Sequence, residues 1–150
     1  MREPFIVLDF ETTGLSPTEG ARATEIAAVL VQDGEIVDKF QSLMNAGVSI
    51  PSFIQELTGI TNRMIATAPP CAEVMRDFVA FIGDVPLVAH NASFDKKFLD
   101  AELSRIGKKA NQPIACSMRI ARRVYRNAPN HRLGTFPLRQ TNCRVVFLNK

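Results

Sequence analysis

Cysteine is scarce in this 150-residue chain: the three present, Cys71, Cys116 and Cys143, lie far apart and are odd in number. That spacing excludes a disulfide framework and the paired cysteines of a structural zinc site. Free, mostly buried thiols in a reducing compartment are expected instead. No run approaches the roughly 20 apolar residues that a helix needs to cross a bilayer, so no membrane partner is expected. The first residues enter an apolar strand directly, without the apolar region and cleavage site of a secretory signal, and a cytoplasmic protein is the expectation. Repeats, low-complexity tracts and interdomain linkers are absent too, and the length reads as one domain. A hydrophobic fraction of 46% argues against disorder. The net charge of +3 suits an anionic partner without establishing one.

The most informative residues close the first apolar run. Phe5-Ile6-Val7-Leu8 reads as a buried strand, and Asp9-Phe10-Glu11-Thr12 follows it. Side chains two apart on a strand share a face, so Asp9 and Glu11 stand side by side. Like charges in a low-dielectric site repel, and one would ordinarily take a proton. A divalent cation with a preference for oxygen ligands removes that conflict. Two solvated acids at a strand exit are the plainer alternative. Thr12-Thr13-Gly14-Leu15 then reads as a turn. A second apolar run, Pro86-Leu87-Val88-Ala89, leads into His90-Asn91-Ala92-Ser93-Phe94-Asp95, which sets a third acid in the first turn of a helix.

Between these motifs, Thr24 to Gln32 and Ile36 to Leu43 read as a hairpin around Asp33-Gly34. Pro51 opens a short helix over Ser52 to Leu57. Val74, Phe78, Phe81 and Ile82 give helical spacing over Ala72 to Gly83. Ser93 is the expected N-cap of a helix to Ile106, Pro113 to Cys116 a short strand, and Met118 to Arg126 a last helix. On that helix Ile120, Ala121, Val124 and Tyr125 face one way, and Arg119, Arg122, Arg123 and Arg126 form a stripe on the other that fits a phosphate backbone or, as the favoured alternative, a solvated face. Strands interleaved with helices predict an α/β layered domain.

The two motifs, in this order, resemble the DEDD superfamily of 3'–5' exonucleases, and within it the proofreading epsilon subunits of bacterial DNA polymerase III. The resemblance runs from Phe5 to about Thr135. It implies a ribonuclease H-like fold, with a mixed five-stranded sheet flanked by helices on both faces. It implies two-metal phosphodiester hydrolysis with Mg²⁺ or Mn²⁺. Asp9, Glu11 and Asp95 would then be both catalytic and metal-binding: Asp9 bridging both ions, Glu11 on the catalytic one, Asp95 on the second. Thr12, with the backbone of Phe10 and Thr13, resembles the cradle of the terminal nucleotide. Thr58-Gly59-Ile60-Thr61 resembles the loop against its base and sugar, and also reads as an ordinary glycine-capped helix end. Asn91 joins the substrate-binding set from the second motif. Asp95 alone would pass for a helix N-terminal acid. His90 is read as structural, and Glu25 as an acid supporting the site. Implied partners are single-stranded DNA or RNA 3' ends and a DNA polymerase subunit.

The pattern then breaks. The resembling family takes a fourth acid and a general base from a C-terminal helix with His and, five residues on, Asp. Asn130-His131-Arg132-Leu133-Gly134-Thr135 is similar to the lead-in, but residues 136–150 contain no acid and no histidine. Pro137 would interrupt a helix, and Val145-Val146-Phe147 leans toward strand. The expectation is therefore an exonuclease-like domain over 1–135 and an atypical tail over 136–150, resembling a truncated or frameshifted end. Activity is expected to be impaired. The rival is a catalytically inactive nucleic-acid-binding or polymerase-associated module. A third reading, an internally cleaving nuclease, is disfavoured by the Thr12-Thr13-Gly14 turn.

Overall fold

Strand alternation and helix periodicity assemble into one five-stranded sheet. The computed structural model describes residues 2–133; Cys143 and the 136–150 tail lie outside them. Strand β1 (Phe5–Thr12) is central, in the order β3-β2-β1-β4-β5. It pairs antiparallel with β2 (Ala23–Gln32), which pairs antiparallel with β3 (Glu35–Leu43). The β2–β3 connection is Asp33-Gly34, both at positive φ, 53° and 90°, as a two-residue hairpin turn requires. On its other edge β1 runs parallel to β4 (Leu87–Ala89), and β4 to β5 (Ile114–Cys116).

Ile6, Leu8 and Phe10 point to one side of β1 and are buried there with Ile26 and Ala28 of β2. Two helices complete this core. Helix α3 (Cys71–Ile82) contributes Val74, Met75, Phe78 and Ile82, and α4 (Ala92–Arg105) contributes Phe98, Leu99 and Leu103. A separate small core, Ile50, Ile54, Ile60 and Ile65, holds α1 (Ser52–Thr58) to α2 (Asn62–Ala66). Helix α2 escapes the sequence reading, which stops at Thr61. Thr61 is its N-cap, its hydroxyl accepting from Met64 N–H at 3.2 Å. Thr61→Ala is expected to cost about 1 kcal/mol in urea denaturation; no change would mean that water replaces the cap.

Helix α5 (Ser117–Val124) differs most from expectation: it buries no residue, Ile120 and Val124 stay exposed, and it ends before Arg126. Ser93 is not the N-cap of α4. Asn91 occupies that position in the left-handed conformation, φ 62°, and α4 begins one residue earlier than Ser93. No helix among the described residues is long and apolar enough to cross a membrane.

Candidate active site

The site follows from a mismatch in strand length. Ile6 N–H donates to Pro86 O, so the N–H groups of Ile6, Leu8 and Phe10 point toward β4. Strand β4 stops at Ala89, short of Phe10. The buried Phe10 N–H therefore needs another acceptor. Asn91 turns the chain sharply, α4 starts, and the Oδ1 of Asp95 accepts the Phe10 N–H at 3.0 Å. This hydrogen bond spans 85 positions and draws the α4 acid to the peptide between Asp9 and Glu11.

Asp9 and Glu11 sit half-buried on the face of β1 opposite the core, while Asp95 is 2% exposed. Burial, then the charge of Asp9 and more weakly that of Glu11, push the Asp95 carboxyl up to about 7, against the pull of the Phe10 N–H. Burial and the neighbouring acids thus both disfavour the charged form of Asp95. A hard divalent cation has the matching chemistry. Among the described residues no group of three or more His, Cys, Asp or Glu side chains is placed so that it could hold a metal ion by itself. Carboxylates are the donor type that an ion such as Mg²⁺ takes, one or two at a time with several waters.

Other candidates fall into place around this cluster. Glu25 stands directly across from Glu11 in the β1–β2 register, and accepts from Gln41 Nε2 at 2.8 Å. The groups of the expected nucleotide cradle have partners within the fold. The Phe10 N–H is taken by Asp95, the Phe10 ring lies in the core, and the Thr13 N–H donates to Arg22 O at 2.9 Å. The Thr12 hydroxyl donates to Gly14 O at 2.7 Å, and that of Thr13 accepts from Arg22 N–H at 3.0 Å. These groups hold the turn in shape: the Phe10 and Thr13 N–H groups and the Thr12 O–H are engaged as donors, and the Thr13 hydroxyl is engaged as an acceptor. Thr58 is likewise buried, its hydroxyl donating to Ile54 O and accepting from Ile60 N–H. It shapes the loop, whose Gly59 caps α1 at φ 72°. Asn91 is exposed at the start of α4.

His90 bridges segments: Nε2 lies 2.8 Å from His131 O and Nδ1 3.1 Å from the Ser117 hydroxyl. A carbonyl partner at Nε2 requires the proton there, so the neutral ring accepts at Nδ1. Both nitrogens serve structure, in line with the structural reading. Arg119, Arg122 and Arg123 are exposed on α5, and Arg126 follows its end. They belong to a wider asymmetry: residues 103–150 hold eleven Lys and Arg and no acid.

Sequence reading missed the buried cluster behind the Thr13 turn. Glu102, 2% exposed, takes Arg22 through both oxygens at 2.8 and 2.9 Å, the Ala23 N–H at 3.1 Å and the Cys71 thiol at 3.3 Å. A signal was available. Asp95 and Glu102 are seven apart, two turns along one helix face, and that face also carries the buried Ala92 and Leu99.

Similarity to known proteins identifies the family. The family model described as Exonuclease matches residues 6–139. The DNA polymerase III PolC-type of Bacillus subtilis is 44% identical over 135 residues, covering 89% of this chain and 9% of that protein. The corresponding protein of Bacillus cereus is 42% identical over 134 residues, with the same coverage. The chain thus spans about a tenth of the length of these relatives. Among solved structures, exonuclease X in complex with 5' overhanging duplex DNA superposes with a TM-score of 0.64 at 30% identity, over 82% of this chain and 65% of that one. Exonuclease I in its apo form superposes with a TM-score of 0.73 at 16% identity, over 83% and 31%, a likeness of fold. With a family model covering nearly the whole chain, and a strand-end acid pair joined by a helix acid on a ribonuclease H-like sheet, this protein belongs to the exonuclease family, in the DEDD 3'–5' superfamily.

Proposed function

We infer that this chain is a divalent-metal-dependent 3'–5' exonuclease domain acting on single-stranded 3' ends, most simply a DNA proofreading unit working beside a polymerase. The observation that carries this reading is the Asp95–Phe10 hydrogen bond, which brings three acids from two distant segments to one strand end. Asp9, Glu11 and Asp95 would hold Mg²⁺ or Mn²⁺. When bound, such an ion supplies a water acidic enough to be a nucleophile and shelters charge on the leaving oxygen. The protein's own part is to fix the acids on a rigid strand and helix, and to hold the Thr12–Gly14 turn beside them. DNA is favoured over RNA as substrate because the PolC-type relatives are DNA polymerases by name and exonuclease X was solved with DNA.

Calorimetric titration with Mn²⁺ tests the ligand set. Weak binding is expected for the unmodified chain and none for Asp9→Ala. Equal heats from both would remove Asp9 from the site.

A second reading is favoured by a specific absence. After Glu102 these 150 residues contain no acid, and after His90 only His131. His131 Nε2 lies 3.0 Å from Tyr125 O, and its carbonyl meets His90. On this reading the chain of 150 residues binds strand ends but cleaves them poorly. Both readings share a backbone-binding surface in the basic C-terminal third. Single-strand affinity is therefore expected to fall linearly in a log–log salt plot, with a slope that becomes shallower when Arg119, Arg122, Arg123 and Arg126 are changed to Ser. An unaltered slope would make the arginines a solvated face only.

A further inference from the structure

The ladder between β1 and β2 breaks directly after Glu11. Glu11 pairs with Glu25, but Thr12 pairs with Ala23, so Thr24 is an extra residue on β2. An unbroken ladder would give the Thr13 N–H to Ala23 O; it goes to Arg22 O at 2.9 Å instead. Such a bulge bends its strand, increases the local twist and re-aims the side chains beside it. Glu11 is one of them. The bulge also takes the Ala23 N–H out of the ladder, and Ala23 is fully buried, so that N–H needs another acceptor. Glu102 Oε1 accepts it at 3.1 Å. The carboxylate is itself held: Oε1 also takes Arg22 Nε at 2.8 Å, and Oε2 takes Arg22 Nη2 at 2.9 Å and the Cys71 thiol at 3.3 Å.

Helix α4 therefore grips the strand pair twice. Asp95 takes the N–H of Phe10, the residue before Glu11. Glu102, two turns or about 10 Å farther along the helix, takes the N–H of Ala23, the partner of the residue after Glu11. Glu11 lies between the two attachments. Stability alone does not call for an ion pair here, since apolar side chains of similar volume often serve a fold as well. An apolar pair cannot accept the Ala23 N–H, and so cannot hold the bulge in the same way.

We propose that Glu102 is a positioning residue of the acid site, which sets the direction of Glu11 by holding the β2 bulge opposite it. It acts through the backbone of β2 and the Glu11 side chain, with Arg22 and Cys71 fixing its own carboxylate. This role rests on the reading of Asp9, Glu11 and Asp95 as the ligands of a divalent ion. Groups that orient metal ligands from behind typically account for about 10–100-fold in metal affinity.

Three variants separate position from stability. Arg22→Met with Glu102→Leu leaves no charge buried alone but gives the Ala23 N–H no acceptor. Glu102→Asp keeps the charge, shortens the reach by one methylene and needs no apolar repacking to fold. Glu102→Gln keeps an oxygen for Ala23. In the metal-free protein, amide exchange followed by NMR should be about five- to tenfold faster at Ala23 and Thr13 in the first two, the contribution of one hydrogen bond, relative to Ala27 and Val29, where the ladder is regular. Calorimetric Mn²⁺ affinity should fall at least about tenfold in the same two and stay near that of the unmodified chain in Glu102→Gln. Thr61→Ala, destabilised at α2, should leave both readouts unchanged, which removes general loss of stability as the cause. Unchanged Mn²⁺ affinity in Glu102→Asp and the double variant would overturn the role. So would a loss in Glu102→Gln as large as theirs, since charge and not position would then be at work. If the unmodified chain takes up no Mn²⁺, the reading of the acid site falls; faster exchange at Ala23 with undiminished Mn²⁺ binding defeats the positioning role alone.

Discussion

The chain of 150 residues is expected to release nucleotides from a 3'-labelled single strand about 10²–10⁴-fold more slowly than a version in which residues 136–150 are replaced by a helix carrying His and, five residues on, Asp. That range is what a positioned general base contributes on its own. Asp9, Glu11 and Asp95 supply three carboxylates, and Asp95 is already tied to the strand by Phe10 N–H. The graft adds a histidine as proton acceptor for the nucleophile. His90 is occupied at both nitrogens by Ser117 and His131, and His131 reaches Tyr125 O. Asp95→Ala in the grafted version should return the rate to background, which separates restored chemistry from a contaminant. The opposite outcome is equally informative. Full activity in the unmodified chain, abolished by Asp95→Ala, would mean that another residue supplies the missing function. Glu25, directly across from Glu11, would then be the first to test, by Glu25→Gln.

The parts of the fold legible in the sequence are those in which local pattern and tertiary role agree. The β1 run, the Asp33-Gly34 hairpin and the apolar period of α3 each satisfy their own propensity and the core together. The acids were legible for a different reason: two carboxylates two apart at the end of an apolar strand conflict with ordinary burial, and such conflicts mark sites. What stayed hidden depends on partners far away in sequence. Nothing local says that the Phe10 N–H outruns β4 and must be met by Asp95. Nothing local says that the Thr12 hydroxyl donates to Gly14 O, or that the Thr13 hydroxyl accepts from Arg22 N–H. Helix α5 shows the reverse failure. Its two-faced pattern predicts a buried side, yet Ile120 and Val124 remain exposed, because amphipathicity states which face can be buried and not what is there to bury it.

Glu102 was hidden by a composition argument that is usually sound, since glutamate is almost never fully buried unless paired. The pairing is the point. Arg22 lies at the mouth of β2, immediately before Ala23, and reaches back to α4; its third contact is Ala46 O at 3.2 Å. The cluster therefore joins β2, α4, the 45–47 loop and, through the Cys71 thiol, the start of α3. Burial, reinforced by the charge of Glu102, pushes that thiol up to about 12, so Cys71 stays protonated and serves as a donor.

Glu102→Ala is accordingly expected to destabilise the chain by about 3–5 kcal/mol in urea denaturation at pH 7, the usual cost of removing one partner from a buried ion pair. Arg22 would be left with its charge uncompensated, and the Ala23 N–H and the Cys71 thiol with no acceptor. The loss should reach the site, because Arg22 N–H holds the Thr13 hydroxyl. Replacing both partners, Arg22→Met with Glu102→Leu, is expected to cost less than Glu102→Ala alone, since apolar side chains carry no desolvation penalty. The pH dependence has a definite sign. Burial raises the Glu102 carboxyl, but the hydrogen bonds from Arg22 and Ala23 and the charge of Arg22 outweigh it and leave it below its ordinary 4.5. A depressed acid contributes stability that is present above the unfolded value and lost as pH falls through the folded one. Arg22 stays charged across that window and adds no slope of its own. Unfolding free energy should therefore fall with acidification below about pH 4.5, and Glu102→Gln should flatten that limb. An equally steep acid limb in Glu102→Gln would place the sensitivity on other carboxylates and reduce the Arg22–Glu102 pair to a contact that only offsets its own desolvation.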